Sequence, residues 1–170
     1  MIVDLAENDQ WPKNFDVVID RSGIDLEREE ARLAGPVTAK GSIDKHAGWF
    51  SVSGQITADV EIDCSRCLDP LKRLLAISFD IRLLNGEVLS GAAEREVGKG
   101  DLDLSVLDDE CVDMNEIVRE QILLELPEQV FCSKNCKGLC PKCGSNRNLI
   151  DCKCEEDEID PRWAALMNLK

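Results

Sequence analysis

The chain reads as an α+β protein: an antiparallel β-sheet or small β-barrel, one packed helix, and a C-terminal cysteine-knuckle segment. Three patterns predict this. Residues 51–64 alternate polar and apolar seven times in a row. A segment at about 112–126 carries apolar residues at helical spacing behind a capping residue. Six cysteines fall between Cys132 and Cys154.

Taken in order, residues 1–13 read as a loosely held start, and FDVVID (15–20) has strand composition. IDLEREEARLAG (24–35) is charged and fits a short helix or a loop. PVTAKGSIDKHAGWFSV supplies two strands broken near Lys45-His46-Ala47-Gly48. Val52, Ile56, Ala58, Val60, Ile62 and Cys64 then lie on one side of the alternation, with Ser51, Gln55, Asp59 and Asp63 on the other. A period of two describes a strand with one buried and one wet face, as in antiparallel sheet. SRCLDPL (65–71) turns the chain into a second strand, where Leu75, Ile77, Phe79, Ile81 and Leu83 alternate. The total is four to six strands.

NGEVLSGAAEREVGKGD (85–101), rich in Gly and charge, reads as a loop. DLDLSVL (101–107) briefly resumes the alternation. Asp113 then stands as an N-cap, with Glu116 at capping-box spacing. Met114, Ile117, Val118 and Ile122 form a helical core stripe that Pro127 stops. Cys111 reads as a small apolar residue. We divide the chain into a β-rich body (1–131), a cysteine-rich segment (132–154), and an acidic linker with a short C-terminal helix (155–170).

The cysteine spacing carries the chemistry. Cys140-Pro-Lys-Cys143-Gly is a C-x2-C pair whose turn aims two thiolates at one cation, as in zinc knuckles. Cys64-Ser-Arg-Cys67 repeats the spacing far upstream. A disulfide framework needs an oxidising compartment. The N-terminus has neither the basic nor the apolar region of a signal peptide, and no apolar run approaches the roughly 20 residues of a membrane span. These features predict a cytoplasmic zinc protein with no membrane association, ahead of redox thiols or iron–sulfur ligation. Eight thiols divide into two tetrahedral sites. The preferred split is Cys140, Cys143, Cys152 and Cys154 for one ion and Cys64, Cys67, Cys132 and Cys136 for the other. One ion with spare thiols is the alternative. All-Cys ligation leaves no open position for catalysis. With His46 as the single histidine, placed in a solvated turn, the chain has little scope for a histidine-based centre.

Charge is uneven. The whole chain carries −14, which excludes whole-surface binding to nucleic acid or anionic membrane. Residues 132–154 hold Lys134, Lys137, Lys142, Arg147 and Lys153 against Asp151, a net +4. These lysines either offset thiolate charge or form a small basic tip. In the second case Lys137, Lys142, Arg147 and Lys153 are the RNA contacts.

Two segments resemble the YceD family. CSRCLDPL (64–71) is similar to that family's C-x-R-C-L turn. LLELPEQVFCSKNCKGLCPKCGSNRNLIDCKC (123–154) is similar to its cysteine-rich tail, and Pro161-Arg162 with the following Ala-Leu fits the family's C-terminus. Arg147 departs from the pattern, where the family more often has Leu. The resemblance carries over to Cys64, Arg66, Cys67, Leu68, the Leu126-Pro127 step and the Cys132–Cys154 cluster. It implies a role in accumulation of large-subunit (23S) ribosomal RNA, through synthesis, processing or stability, and no catalytic activity. The implied partner is that RNA or a pre-ribosomal particle, met directly or through a ribosomal protein. Two alternatives stand beside it. One is an acidic adaptor for a basic ribosomal protein. The other is a zinc-thiol redox sensor, favoured by lysines beside the thiols. Oligomeric state has no signature in the sequence.

Overall fold

The computed structural model describes residues 2–6, 10–85, 104–107, 111–154 and 162. The acidic linker and C-terminal helix expected at 155–170 lie outside these, apart from Arg162, as does nearly all of the loop expected at 85–101. Strands β1 (Ile2–Asp4), β2 (Lys13–Ile19), β3 (Ala31–Leu33), β4 (Val37–Lys45), β5 (Trp49–Asp63), β6 (Pro70–Asn85), β7 (Leu104–Leu107) and β8 (Cys111–Asp113) precede helix α1 (Met114–Glu125). The main sheet runs β2-β4-β5-β6-β7, with β3 also paired to β5. It curls into a half-barrel. The pairs are antiparallel except β6 with β7, which is parallel. The antiparallel expectation holds for every other pair.

The period-two pattern does what it predicts. Phe50, Val52, Ile56, Ala58, Val60 and Ile62 are buried along β5, and Ile77, Phe79 and Leu83 are buried along β6. In register they meet Ile43, Ala39, Leu33 and Ala31 of the neighbouring strands, so one face of the sheet is continuous core. β3 and β4 lie end to end along one edge of β5. Between the pairs Leu33↔Val60 and Thr38↔Thr57, the β3–β4 side has two extra residues, which bulge the edge at Ala34-Gly35-Pro36. Phe15, Gly41, Gly54 and Phe79 form one row across four strands. A Cβ on Gly41 would stand 2.0 Å from the Ser53 carbonyl oxygen and 2.7 Å from the Phe15 ring. The bare glycines let the two strands approach closely beneath the Phe15 ring.

α1 covers this face with Met114, Ile117, Val118 and Ile122, all buried. Asp113 caps it by accepting the Asn115 N–H at 2.9 Å. The helix begins at Met114 rather than 112, because Cys111–Asp113 are already committed as β8. β8 pairs with β1, and Leu5 is buried behind it. The start of the chain is thus pinned rather than loose. Cys111 is exposed, against the expectation of a core residue: a three-residue edge strand turns it outward while Val112 faces the core. Residues 24–30 are a loop that buries Ile24 and Leu26, so only Ala31–Leu33 of that segment is regular, as strand. His46 is exposed in the β4–β5 turn, with its ring stacked on Trp49. Among the described residues no helix is long and apolar enough to cross a membrane.

Candidate metal centre

β5 and β6 meet at the Cys64–Cys67 turn, at the far end of the sheet from His46. The turn is closed by Cys64 N–H to the Asp69 carbonyl and Leu68 N–H to the Cys64 carbonyl, both 2.9 Å. Leu68 takes a left-handed φ of 59° to complete it. The chain after α1 is pinned alongside. Ser65 N–H donates to the Val130 carbonyl at 2.8 Å, and Val130 N–H returns to Ser65 Oγ at 3.0 Å. That clamp brings Cys132 and Cys136 onto the turn. Cys67 Sγ lies 3.6 Å from Cys132 Sγ, and Cys64 Sγ lies 3.9 Å from Cys136 Sγ.

The four thiols Cys64, Cys67, Cys132 and Cys136 gather within 4.8 Å, and so do Cys140, Cys143, Cys152 and Cys154. This is the division the spacing favoured. A tetrahedron of sulfurs about 2.3 Å from a central ion has an edge of about 3.8 Å. The two separations on the β5–β6 turn bracket that edge and far exceed a disulfide bond, and all nine cysteines are free. Either cluster could hold a metal ion.

We call the cluster on the β5–β6 turn proximal and the other distal. The distal one is built by a small hairpin. Cys140 N–H donates to the Ser145 carbonyl and Gly144 N–H to the Cys140 carbonyl, both at 2.8 Å, and Leu139 bridges Asn146. Gly138 and Gly144 hold φ of 73° and 69°, where a side chain is disfavoured. Arg66 ties the hairpin to the turn. Its carbonyl accepts Leu139 N–H at 3.0 Å, its guanidinium donates to the Cys136 carbonyl at 3.2 Å, and it stacks on Phe131.

Peptide N–H groups tune the thiols. Burial opposes ionisation of Cys64, yet N–H groups of Arg66, Cys67 and Cys132 outweigh it and lower the thiol to about 6. Asn148, whose amide donates to Cys136 Sγ at 3.3 Å, lowers Cys136. Burial raises Cys67, and the neighbouring Cys136 raises Cys132. In the distal cluster Ser145 lowers Cys143 to about 6, and the N–H groups of Cys143 and Lys142 lower Cys140. Cys143 and Cys140 in turn push Cys154 up to about 12. Each cluster thus sets thiols driven toward thiolate beside thiols pushed the other way, Cys67 and Cys132 in the proximal cluster and Cys154 in the distal one. A divalent cation relieves that conflict by letting all four ionise.

The four candidate RNA contacts are all exposed. Lys137 and Arg147 are neighbours across the hairpin, through Lys137 N–H to Asn148 Oδ1 and Arg147 N–H to the Gly138 carbonyl. Lys142 and Lys153 sit inside the distal ligand pairs. Asp69 and Asn148 lie against the proximal thiols with Asn146 between them, and sequence reasoning gave the three no role of their own. Asn146 Nδ2 donates to both Asp69 carboxylate oxygens, at 3.1 and 3.0 Å. Both asparagines lay in the GSNRN run, but nothing in the run says what they touch.

The profile of the family described as "Large ribosomal RNA subunit accumulation protein YceD" matches residues 52–170. The chain is 28% identical over 164 residues to the Bacillus subtilis (strain 168) uncharacterized protein YlbN, covering 94% of this chain and 91% of that one. It is 25% identical over 179 residues to the Zea mays large ribosomal RNA subunit accumulation protein YCED homolog 1, chloroplastic, covering 92% of this chain and 60% of that one. With the Mycobacterium tuberculosis (strain H37Rv) protein Rv2926c it shares 28% over 124 residues, 69% of this chain and about half (54%) of the relative. No solved structure matches. Both segments that carry the cysteine clusters fall within the matched region, and the chain belongs to the YceD family.

Proposed function

We propose that this protein is a non-enzymatic cytoplasmic factor for large-subunit (23S) ribosomal RNA, acting on its synthesis, processing or stability. In this reading zinc fills both clusters and stiffens a basic tip that meets the RNA or a pre-ribosomal particle. The observation that carries the reading is the join between the family's description and the cysteine segment. The same residues that complete the two clusters present Lys137, Lys142, Arg147 and Lys153 to solvent. Donor chemistry supports zinc, because four thiolates in a closed tetrahedron suit a structural zinc ion. Such a centre offers no position for a reacting water, which fits a binding role.

Crosslinking in cells, with sequencing of the attached RNA and mapping of the crosslinked peptide, tests the reading. Large-subunit rRNA joined through residues 132–154 is the expected result. Binding in vitro should weaken with salt, with a log–log slope of about three for four phosphate contacts. A salt-independent affinity sinks it. A net charge of −14 favours a second reading, an adaptor that shields a basic ribosomal protein. Absence of RNA from a soluble, metal-loaded protein moves the weight there.

A further inference from the structure

A chain of side-chain hydrogen bonds runs from one proximal thiol to another through two asparagines of the distal hairpin, and its direction is forced. Lys137 N–H can only donate, so the Asn148 oxygen must face it, at 2.8 Å. The Asn148 amide nitrogen then faces Cys136 Sγ at 3.3 Å and also donates to Asn146 Oδ1 at 2.9 Å. Asn146 Oδ1 accepts Asn148 N–H as well, at 2.9 Å. That leaves the Asn146 nitrogen to face Asp69, a carboxylate that lies 3.3 Å from Cys67 Sγ. The relay therefore touches two proximal ligands, one directly and one through Asp69. Its two asparagines stand in the span between Cys143 and Cys152, both distal ligands.

We infer that Asn148, positioned by the distal cluster, makes metal affinity at the proximal cluster depend on metal at the distal one. A metal on Cys143 and Cys152 closes the hairpin loop and holds the Asn148 amide against Cys136. Without it the loop is freer, and the proximal thiolate loses an N–H partner. Linkage makes the effect reciprocal: an empty proximal cluster weakens the distal one by the same factor. Asn148 is a positioning residue and no ligand. Partners of this kind typically carry 10–100-fold in metal affinity. The inference rests on both clusters binding divalent metal and is independent of any RNA contact.

The test is a cobalt(II) titration of the full-length chain against a competing chelator, read by the thiolate-to-cobalt charge-transfer band. Two ions per chain in the unaltered protein establish the metal reading first. One ion or none overturns that reading and this inference with it, whatever the RNA result. Asn148→Ala should lower proximal affinity by about 10–100-fold. Asn148→Asp should lower it further, because a carboxylate then faces a thiolate. The distal-empty variant Cys143→Ser/Cys152→Ser should show a comparable proximal loss. Adding Asn148→Ala to it should then change little, since the relay is already broken. Additive losses, or an Asn148→Ala protein that binds both ions as tightly as the unaltered chain, overturn the inference. Far-ultraviolet circular dichroism of each variant separates a lost body fold from a lost relay.

Discussion

The two clusters have the same four donors and different surroundings. In the proximal cluster three of four cysteines are buried and only Cys132 is exposed. In the distal cluster only Cys140 is buried. Proximal partners lie 65 and 72 residues apart in the chain, whereas the distal four fall within one short stretch. Identical chemistry thus serves two purposes. The proximal cluster closes a long loop and staples the segment after α1 to the sheet. Its loss releases much chain entropy. The distal cluster shapes its own hairpin, so its loss is a local matter softened by solvent.

Cys64→Ser is the strongest way to break that comparison. With both clusters metal-filled, as proposed, it removes a fully buried ligand and should cost on the order of 4 kcal/mol, the linkage energy of an ion whose free concentration is about a thousandfold above its dissociation constant. In a chain of this size that lowers the thermal midpoint by roughly 10 °C. A fall no greater than that of a distal variant, in a zinc-saturated melt, would erase the distinction. Cys154→Ser should lower the midpoint by less than half as much, while releasing one ion per chain by mass spectrometry.

Acid sharpens the contrast further. Cys64 and Cys143 are both held near 6, below the ordinary thiol value of 9.0. A depressed thiol stabilises the fold fully above its ordinary value and loses that contribution as pH falls through its folded value. Protons compete with a cation for every thiolate, so metal retention should weaken steadily as pH falls below neutral. The exposed distal ion should leave before the proximal one. Zinc content after dialysis at stepped pH reads both steps. A single simultaneous loss in the Asn148→Ala protein, where the relay is cut, would show that burial does not separate the sites. Small peroxide doses should follow the same order, and release of proximal metal first would speak against burial as its protector.

Much of this was legible beforehand. The alternation over 51–64 placed Cys64 on the buried side of a strand end, where the structure has it. Spacing alone favoured the four-and-four division of thiols, because a C-x2-C pair aims two sulfurs one way and a tetrahedron needs two pairs. The helical stripe and its Asp113 cap were visible because capping and periodicity are local. Three features were not. Residues 1–6 carry little pattern, and β1 exists because β8 lends it an edge. The parallel β6–β7 pair joins residues on either side of a long connection. Cys111 looked like core because its type is usually buried, and pairing in a short edge strand turned it out.

By itself the sequence determined the long strands β5 and β6, the helix, their buried faces and the donor set, since these depend on residue type and near neighbours along the chain. Tertiary structure decided the approach of Cys132 and Cys136 to the Cys64–Cys67 turn, the Phe15–Gly41–Gly54–Phe79 row, and the path Asp69–Asn146–Asn148–Cys136. Each of those joins residues far apart in sequence. Such contacts arise only when long loops close, and their closing depends on the whole core packing at once.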